Sequence, residues 1–170
     1  MRFSAAFLVT VLGTSGLGAQ RPLTIDDIMD LKNAGSVQVS PDGSRILYTI
    51  AAWEHPAARD TSKGDQHEMR SHVWMVRADG SGNRQVTFGE RGESAPQWSP
   101  DGRYISFVSA RGAMNGTDGP RPQVWLMHAD GGEAFALTTA RDGVSGYTWA
   151  PNSQSIAYLT TDSLTREAEA

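Results

Sequence analysis

Apolar residues recur at every second position in short runs, and each run is bounded by turn residues. Ile46, Tyr48 and Ile50 form one such run, Ile105 and Phe107 a second, Ile156 and Tyr158 a third. A period of two is that of a β-strand with one buried face. Each run follows a turn built on proline: "VQVSPDGSRILY" (37–48), "PQWSPDGRYISF" (96–107) and "YTWAPNSQSIAY" (147–158). In Ser-Pro-Asp-Gly the proline presets φ at the second turn position and the glycine accepts the left-handed exit. The third copy has Asn152-Ser153 in place of Asp-Gly and loses that glycine. Short strands lead into the turns ("SVQVS", "APQWS", "GYTWA"). Continuously apolar strands follow ("HVWMV", "QVWLM"), as expected where both faces are covered. Asp79-Gly80 and Asp130-Gly131 then make hairpin turns to "RQVTF" and "AFALT". Ahead of the strands, Ile25, Ile28 and Leu31 have helical spacing, with Thr24 as N-cap, Asp27 three residues on, and Asn33 to Gly35 as the stop.

These elements repeat. Trp74 and Trp125 are 51 residues apart, as are Asp79 and Asp130, Thr87 and Thr138, and the turn prolines Pro100 and Pro151. Pro41 precedes Pro100 by 59, and the extra eight residues fall between Ile50 and His72 as an insertion in one loop. Four antiparallel strands per unit of about 50 residues is the signature of a β-propeller blade. The expected fold is therefore all-β: four-stranded antiparallel blades, two full (37–88 and 96–138) and part of a third (147–160). A leader with the short helix occupies 20–36, and 161–170 reads as a truncated continuation. A closed propeller has typically about 4–8 blades, so the expectation is the N-terminal part of a longer protein. The alternative is a small open stack of sheets complete in itself, whose "SIAYLT" edge would lie unguarded.

Composition narrows the compartment and the chemistry. The chain has 170 residues, 39% hydrophobic and 20% charged, with 18 glycines and no cysteine. That excludes disulfides, thiolate metal sites and cysteine nucleophiles. The net charge is −4 with no basic cluster, which argues against a nucleic-acid partner. Residues 1–19 combine Arg2, an apolar run from Phe3 to Leu12 and small residues up to Ala19, the form of a signal peptide rather than a bilayer span. The mature chain is then expected to be exported, periplasmic or extracellular, with no membrane attachment after cleavage.

The Ser-Pro-Asp-Gly turn before an apolar strand, followed by Val-Trp and Ala-Asp-Gly, resembles the propeller of prolyl oligopeptidase-type serine peptidases. Within that family the dipeptidyl/acylaminoacyl peptidase branch fits best, over residues 23–160. The same pattern also resembles TolB-type periplasmic propellers, which bind protein partners without catalysis. The first resemblance implies a serine-type peptidase as parent protein, with Ser, Asp and His on an α/β-hydrolase domain that follows the propeller. The propeller would gate access of short peptide substrates to that domain. No catalytic residue of that kind can be placed in this chain: "GESAP" and "GVSGY" both depart from the Gly-x-Ser-x-Gly elbow. Catalytic, cofactor-binding and metal residues are each expected to be none, and no cofactor is implied.

Four other features have partial site patterns. His67 and His72 in "HEMRSH" are five apart, not four, so they miss the zinc-protease spacing and read as solvated loop histidines. Asp79, Ser81, Asn83 and Glu90 match positions of a calcium loop, but Arg84 stands where glycine is required, and a hairpin turn is expected. Asn115-Gly116-Thr117 is a glycosylation sequon only in a eukaryotic secretory setting, and reads otherwise as loop. Trp74, Trp125, Trp98 and Trp149 sit at matched repeat positions and are expected in the core between blades, while Trp53 has no repeat mate and lies beside the insertion.

Overall fold

A computed structural model describes residues 22–54, 67–112 and 119–161. The signal-peptide reading of 1–19, the Asn115 sequon, most of the insertion and the last nine residues lie outside them. The described residues form one short helix and ten strands. Helix α1 spans Ile25–Met29. The strands are β1 (Asn33–Val39), β2 (Arg45–Glu54), β3 (Glu68–Arg77), β4 (Arg84–Gln85), β5 (Ser94–Trp98), β6 (Tyr104–Ser109), β7 (Gln123–His128), β8 (Phe135–Ala136), β9 (Gly146–Trp149) and β10 (Ile156–Leu159). They pair in chain order into two four-stranded antiparallel sheets, β1-β2-β3-β4 and β5-β6-β7-β8, and a hairpin, β9-β10.

The Pro turns explain why the motif is written three times. Gly43 and Gly102 take φ of 72° and 71°, and their N–H groups donate to Ser40 and Ser99 carbonyls at 2.8 Å each. The serine hydroxyl opening each turn donates to the aspartate (Ser40 to Asp42, Ser99 to Asp101 at 2.6 Å) and accepts from the next strand's first amide (Arg45 or Tyr104, both 2.9 Å). Asp42 and Asp101 accept in turn from the backbone two residues on, each at 3.1 Å. One Ser-x-Asp-Gly string thus satisfies the polar groups where one strand ends and the next begins. In the third copy Ala150 supplies no hydroxyl and Ser153 is held at φ 59°, so the same turn forms with fewer bonds and a strained residue.

Three elements differ from expectation. β1 starts at Asn33, inside the expected leader, because a bulge between Gly35 and Gln38 lets residues 33–35 pair with 49–51. Ser36 at φ 48° sits in that bulge, and Ala95 at φ 49° repeats it in β5. α1 has the expected capping box, with Thr24 and Asp27 bonded reciprocally, but it ends at Met29. The fourth strands are only two residues long. Beyond them, Thr87 Oγ1 accepts the Val73 N–H and Thr138 Oγ1 accepts the Val124 N–H, both at 2.9 Å. A side chain there takes the place of a ladder carbonyl.

The core lies between the first two sheets. Leu47, Val73, Met75 and Val86 of the first pack against Trp98, Ile105, Phe107 and Met127 of the second, with Trp125 partly buried beside them. The side-chain period of two settles which faces meet. Ile105 and Phe107 are fully buried because the first sheet covers them. Their counterparts one repeat earlier, Ile46 and Tyr48, are only half-buried, since they lie on the first sheet's other face. The β9-β10 hairpin covers the second sheet's far side. There Tyr147 donates to the Ala95 carbonyl (2.9 Å), and Trp149 Nε1 donates to the buried Ser106 hydroxyl (2.8 Å). Burial pushes the Tyr147 hydroxyl pKa well above its ordinary value, so it stays protonated.

Candidate functional site

The second sheet keeps an uncharged solution at the place where the first sheet carries a charged one. In the second sheet Gln123 opens β7. Its Oε1 accepts from Thr138 (2.8 Å) and from the Ala140 N–H (2.9 Å), and its Nε2 donates to the Ala140 carbonyl (2.7 Å). Val144, next along, donates its N–H to the Pro122 carbonyl (2.8 Å). The matching residues 51 positions earlier are His72, Thr87 and Glu93. Glu93 makes the same backbone bond, to Ser71 (2.6 Å), but its side chain is a carboxylate where the second sheet has valine.

That carboxylate is fully buried, and every partner is a donor. His72 Nδ1 lies 2.8 Å from it, the Thr87 hydroxyl donates at 2.7 Å, and the Gly89 N–H donates at 2.8 Å. Arg111, just past β6, completes an ion pair with it. Burial alone would raise the Glu93 pKa. The hydrogen bonds from His72 and Thr87 and the Arg111 charge outweigh it and hold the carboxyl below the usual range. His72 shifts the other way: its hydrogen bond to Glu93, against the opposing effect of burial, raises it above 6.5. Its other ring nitrogen, Nε2, lies 3.3 and 3.4 Å from the two oxygens of Glu54, at the end of β2. Both ring nitrogens therefore face carboxylates, and neither is left to activate a nucleophile. Arg111 also stacks over Phe107 (4.9 Å) and Trp125 (5.2 Å).

On its outer side Arg111 borders a cavity of about 320 Å³, whose wall also holds Trp125, Thr138, Arg121 and Arg141. Ion pair, aromatic stack and cavity thus meet at one guanidinium, at the junction of the first two sheets.

His72 corrects the sequence expectation. It is a strand residue with 6% of its surface exposed, not a solvated loop histidine. Its bond to the buried Glu93 and the register of β3 draw it inward. Glu93 and Arg111 were missed altogether. The signal available was the repeat itself, which puts a glutamate opposite a valine. Asp79 to Asn83 make the β3–β4 turn, with Asp79 accepting from the Ser81 N–H (2.9 Å). Trp53, 37% exposed, faces Met69 across the end of the β2–β3 hairpin. Trp98 is buried, Trp125 and Trp149 are partly buried at sheet junctions, and Trp74 lies half-buried on the uncovered face of the first sheet. Among the described residues, no group of three or more His, Asp or Glu is placed to hold a metal ion.

Among solved structures, the chain is similar to TolB from Acinetobacter baumannii (TM-score 0.56, 18% identity, 77% of this chain and 27% of that one). It is similar also to a TolB-assigned protein from Agrobacterium tumefaciens (TM-score 0.53, 22% identity, 78% and 40%). The fold is that of β-propeller blades. Among curated proteins it is 32% identical over 134 residues to the uncharacterized peptidase YuxL of Bacillus subtilis. It is 23% identical over 148 residues to dipeptidyl-peptidase 5 of Porphyromonas endodontalis. These matches take in 79% and 86% of the chain but only 18% and 19% of the relatives' lengths. No protein-family model matches the chain. Among the described residues no helix is long and apolar enough to cross a membrane.

Proposed function

We propose that these blades belong to the propeller of an exported serine peptidase of the prolyl oligopeptidase type, where they gate the access of short peptides to a catalytic domain outside this sequence. The observation that carries the reading is the alignment with proteins named as peptidases across four-fifths of the chain, though it spans under a fifth of their length. The family resemblance assigns Ser, Asp and His to an α/β-hydrolase domain. The blades' own chemistry is consistent with a non-catalytic part, because the buried imidazole is occupied by two carboxylates. Export and a periplasmic or extracellular site follow from the form of residues 1–19. The test is an assay of the full natural product on chromogenic dipeptides and on a folded protein, with a serine-directed fluorophosphonate as inhibitor. Cleavage of short peptides alone, abolished by the inhibitor, is the expected result. The absence of any fluorophosphonate-reactive serine would refute the reading.

A second reading is a non-catalytic propeller of the TolB type that binds protein partners. It rests on the TolB likeness at TM-scores of 0.56 and 0.53. A natural product that captures a partner and hydrolyses no peptide would favour it.

A further inference from the structure

We propose that His72 is a proton-operated latch on the β2–β3 hairpin: with its proton it ties Glu54 to the buried Glu93, and without it Glu54 is released and the hairpin end opens. This inference is independent of the peptidase reading. It starts from a donor count. An imidazolium has two N–H donors and can satisfy both carboxylates, whereas a neutral imidazole has one N–H and one lone pair. The Nδ1 contact, at 2.8 Å, is shorter than the 3.3 Å Nε2 contact to Glu54. Glu93 is fixed independently by Arg111, Thr87 and the Gly89 N–H. A neutral ring therefore keeps Nδ1–H on Glu93 and turns its lone pair toward Glu54.

The register makes that loss matter. Glu54 pairs directly with Glu68 across the hairpin, and like charges at opposed positions destabilise a ladder. Arg70 offsets Glu68 at 3.0 Å, and Glu54 pairs with His72. The ionisable groups acting on the ring are thus Glu93 from the connection to β5 and Glu54 from β2. Arg111 lies behind Glu93, and Glu68 and Arg70 are neighbours along β3. The second sheet supplies the control. Gln123 and Val144 hold the same place with no titrating group, so the blade does not need the charge in order to fold.

The test is amide hydrogen exchange at residues 51–54 and 68–71 from about pH 5 to about pH 8, corrected for intrinsic rates. As pH rises from 6.5 to the raised pKa of the latched His72, protection should fall by up to about ten-fold per pH unit, the slope for one linked proton, and level off above it. The core amides of β6 and β7 should not follow. His72→Gln, which copies the residue of the second sheet, should remove the pH dependence. Should H72Q fail to fold, Glu54→Gln keeps the buried pair and should remove it too. A wild-type hairpin end with no pH response overturns the proposal, as does a response that survives in either variant. If neither variant folds, the NMR titration of His72 decides: a ring already neutral at about pH 6 overturns the latch, and one that titrates together with hairpin opening supports it.

Discussion

Thr138→Val removes one oxygen from the structure and leaves the side-chain shape nearly intact. The hydroxyl accepts the N–H of Val124, a residue with no exposed surface, and donates to Gln123 Oε1. Without it the Val124 N–H has no acceptor, a loss of about 1–3 kcal/mol, and the bond to Gln123 is worth about 1 more. The Ala140 N–H still serves Gln123, and the new methyl returns at most about 0.8 kcal/mol of burial. The net destabilisation is about 2 kcal/mol, roughly a thirty-fold shift. Thr87→Val should cost more, about 3 kcal/mol, because the bond it deletes ends on the charged Glu93. The assay is amide hydrogen exchange at Val124 and Val73, which reads the site in this chain or in a longer product. Thr→Ser is the control: it keeps the oxygen and loses a methyl, about 1 kcal/mol. Unchanged exchange at Val124 in T138V would refute the reasoning, and so would equal acceleration in T138S.

Further predictions concern the core, the turns and the charged cluster. Phe107→Ala, at a fully buried position, should cost about 3–5 kcal/mol by urea unfolding. Tyr48→Ala, at the half-buried matching position in the first sheet, should cost clearly less in this chain; equal losses would contradict the stacking described. Trp53→Ala should leave stability within about 0.5 kcal/mol, and a larger loss would make Trp53 a core residue. Asp42, lowered to about 2 by hydrogen bonds from Ser40 and Ser44, should stay ionised in acid down to that value; carboxyl resonances titrating near 4 would contradict the turn geometry. The Glu93 contribution, its pKa being lowered, should be present above 4.5 and fade as pH falls through the folded value. The His72 contribution, its pKa being raised, should be full below 6.5 and fade as pH rises through the folded value. Unfolding measured against pH should therefore place the cluster's greatest contribution between those limits; one that grows steadily above neutrality would contradict the His72 sign, and one undiminished in strong acid the Glu93 sign.

The blades were legible because their signals are local and repeated. Proline, aspartate and glycine prescribe a turn by backbone geometry alone, and period two prescribes a strand beside it. The 51-residue interval puts Trp74 and Trp125, and Thr87 and Thr138, in equivalent places from the sequence alone. What was not legible depends on contacts between units. Nothing in "HEMRSH" says that His72 is buried, since that follows from Glu93, 21 residues away, reaching back across the sheet junction. The early end of each fourth strand was hidden for a related reason. A threonine hydroxyl captures the amide that a strand carbonyl would have taken, and side chain and backbone competing for one donor leave no periodic trace. The glutamate stands in "GESAP", a string whose only local signal is a partial likeness to a serine elbow. Residue by residue, the repeats set Glu93 against Val144 and His72 against Gln123.

The central claim is that these blades serve a longer serine peptidase. Its most direct measurement is the mass of the native mature protein in its source cells, with peptide sequencing carried past residue 170. The account predicts a product several times longer than this chain, beginning near residue 20 and carrying a Gly-x-Ser-x-Gly elbow downstream with Asp and His after it. A product made only of further blades, or one ending near Ala170, would contradict it.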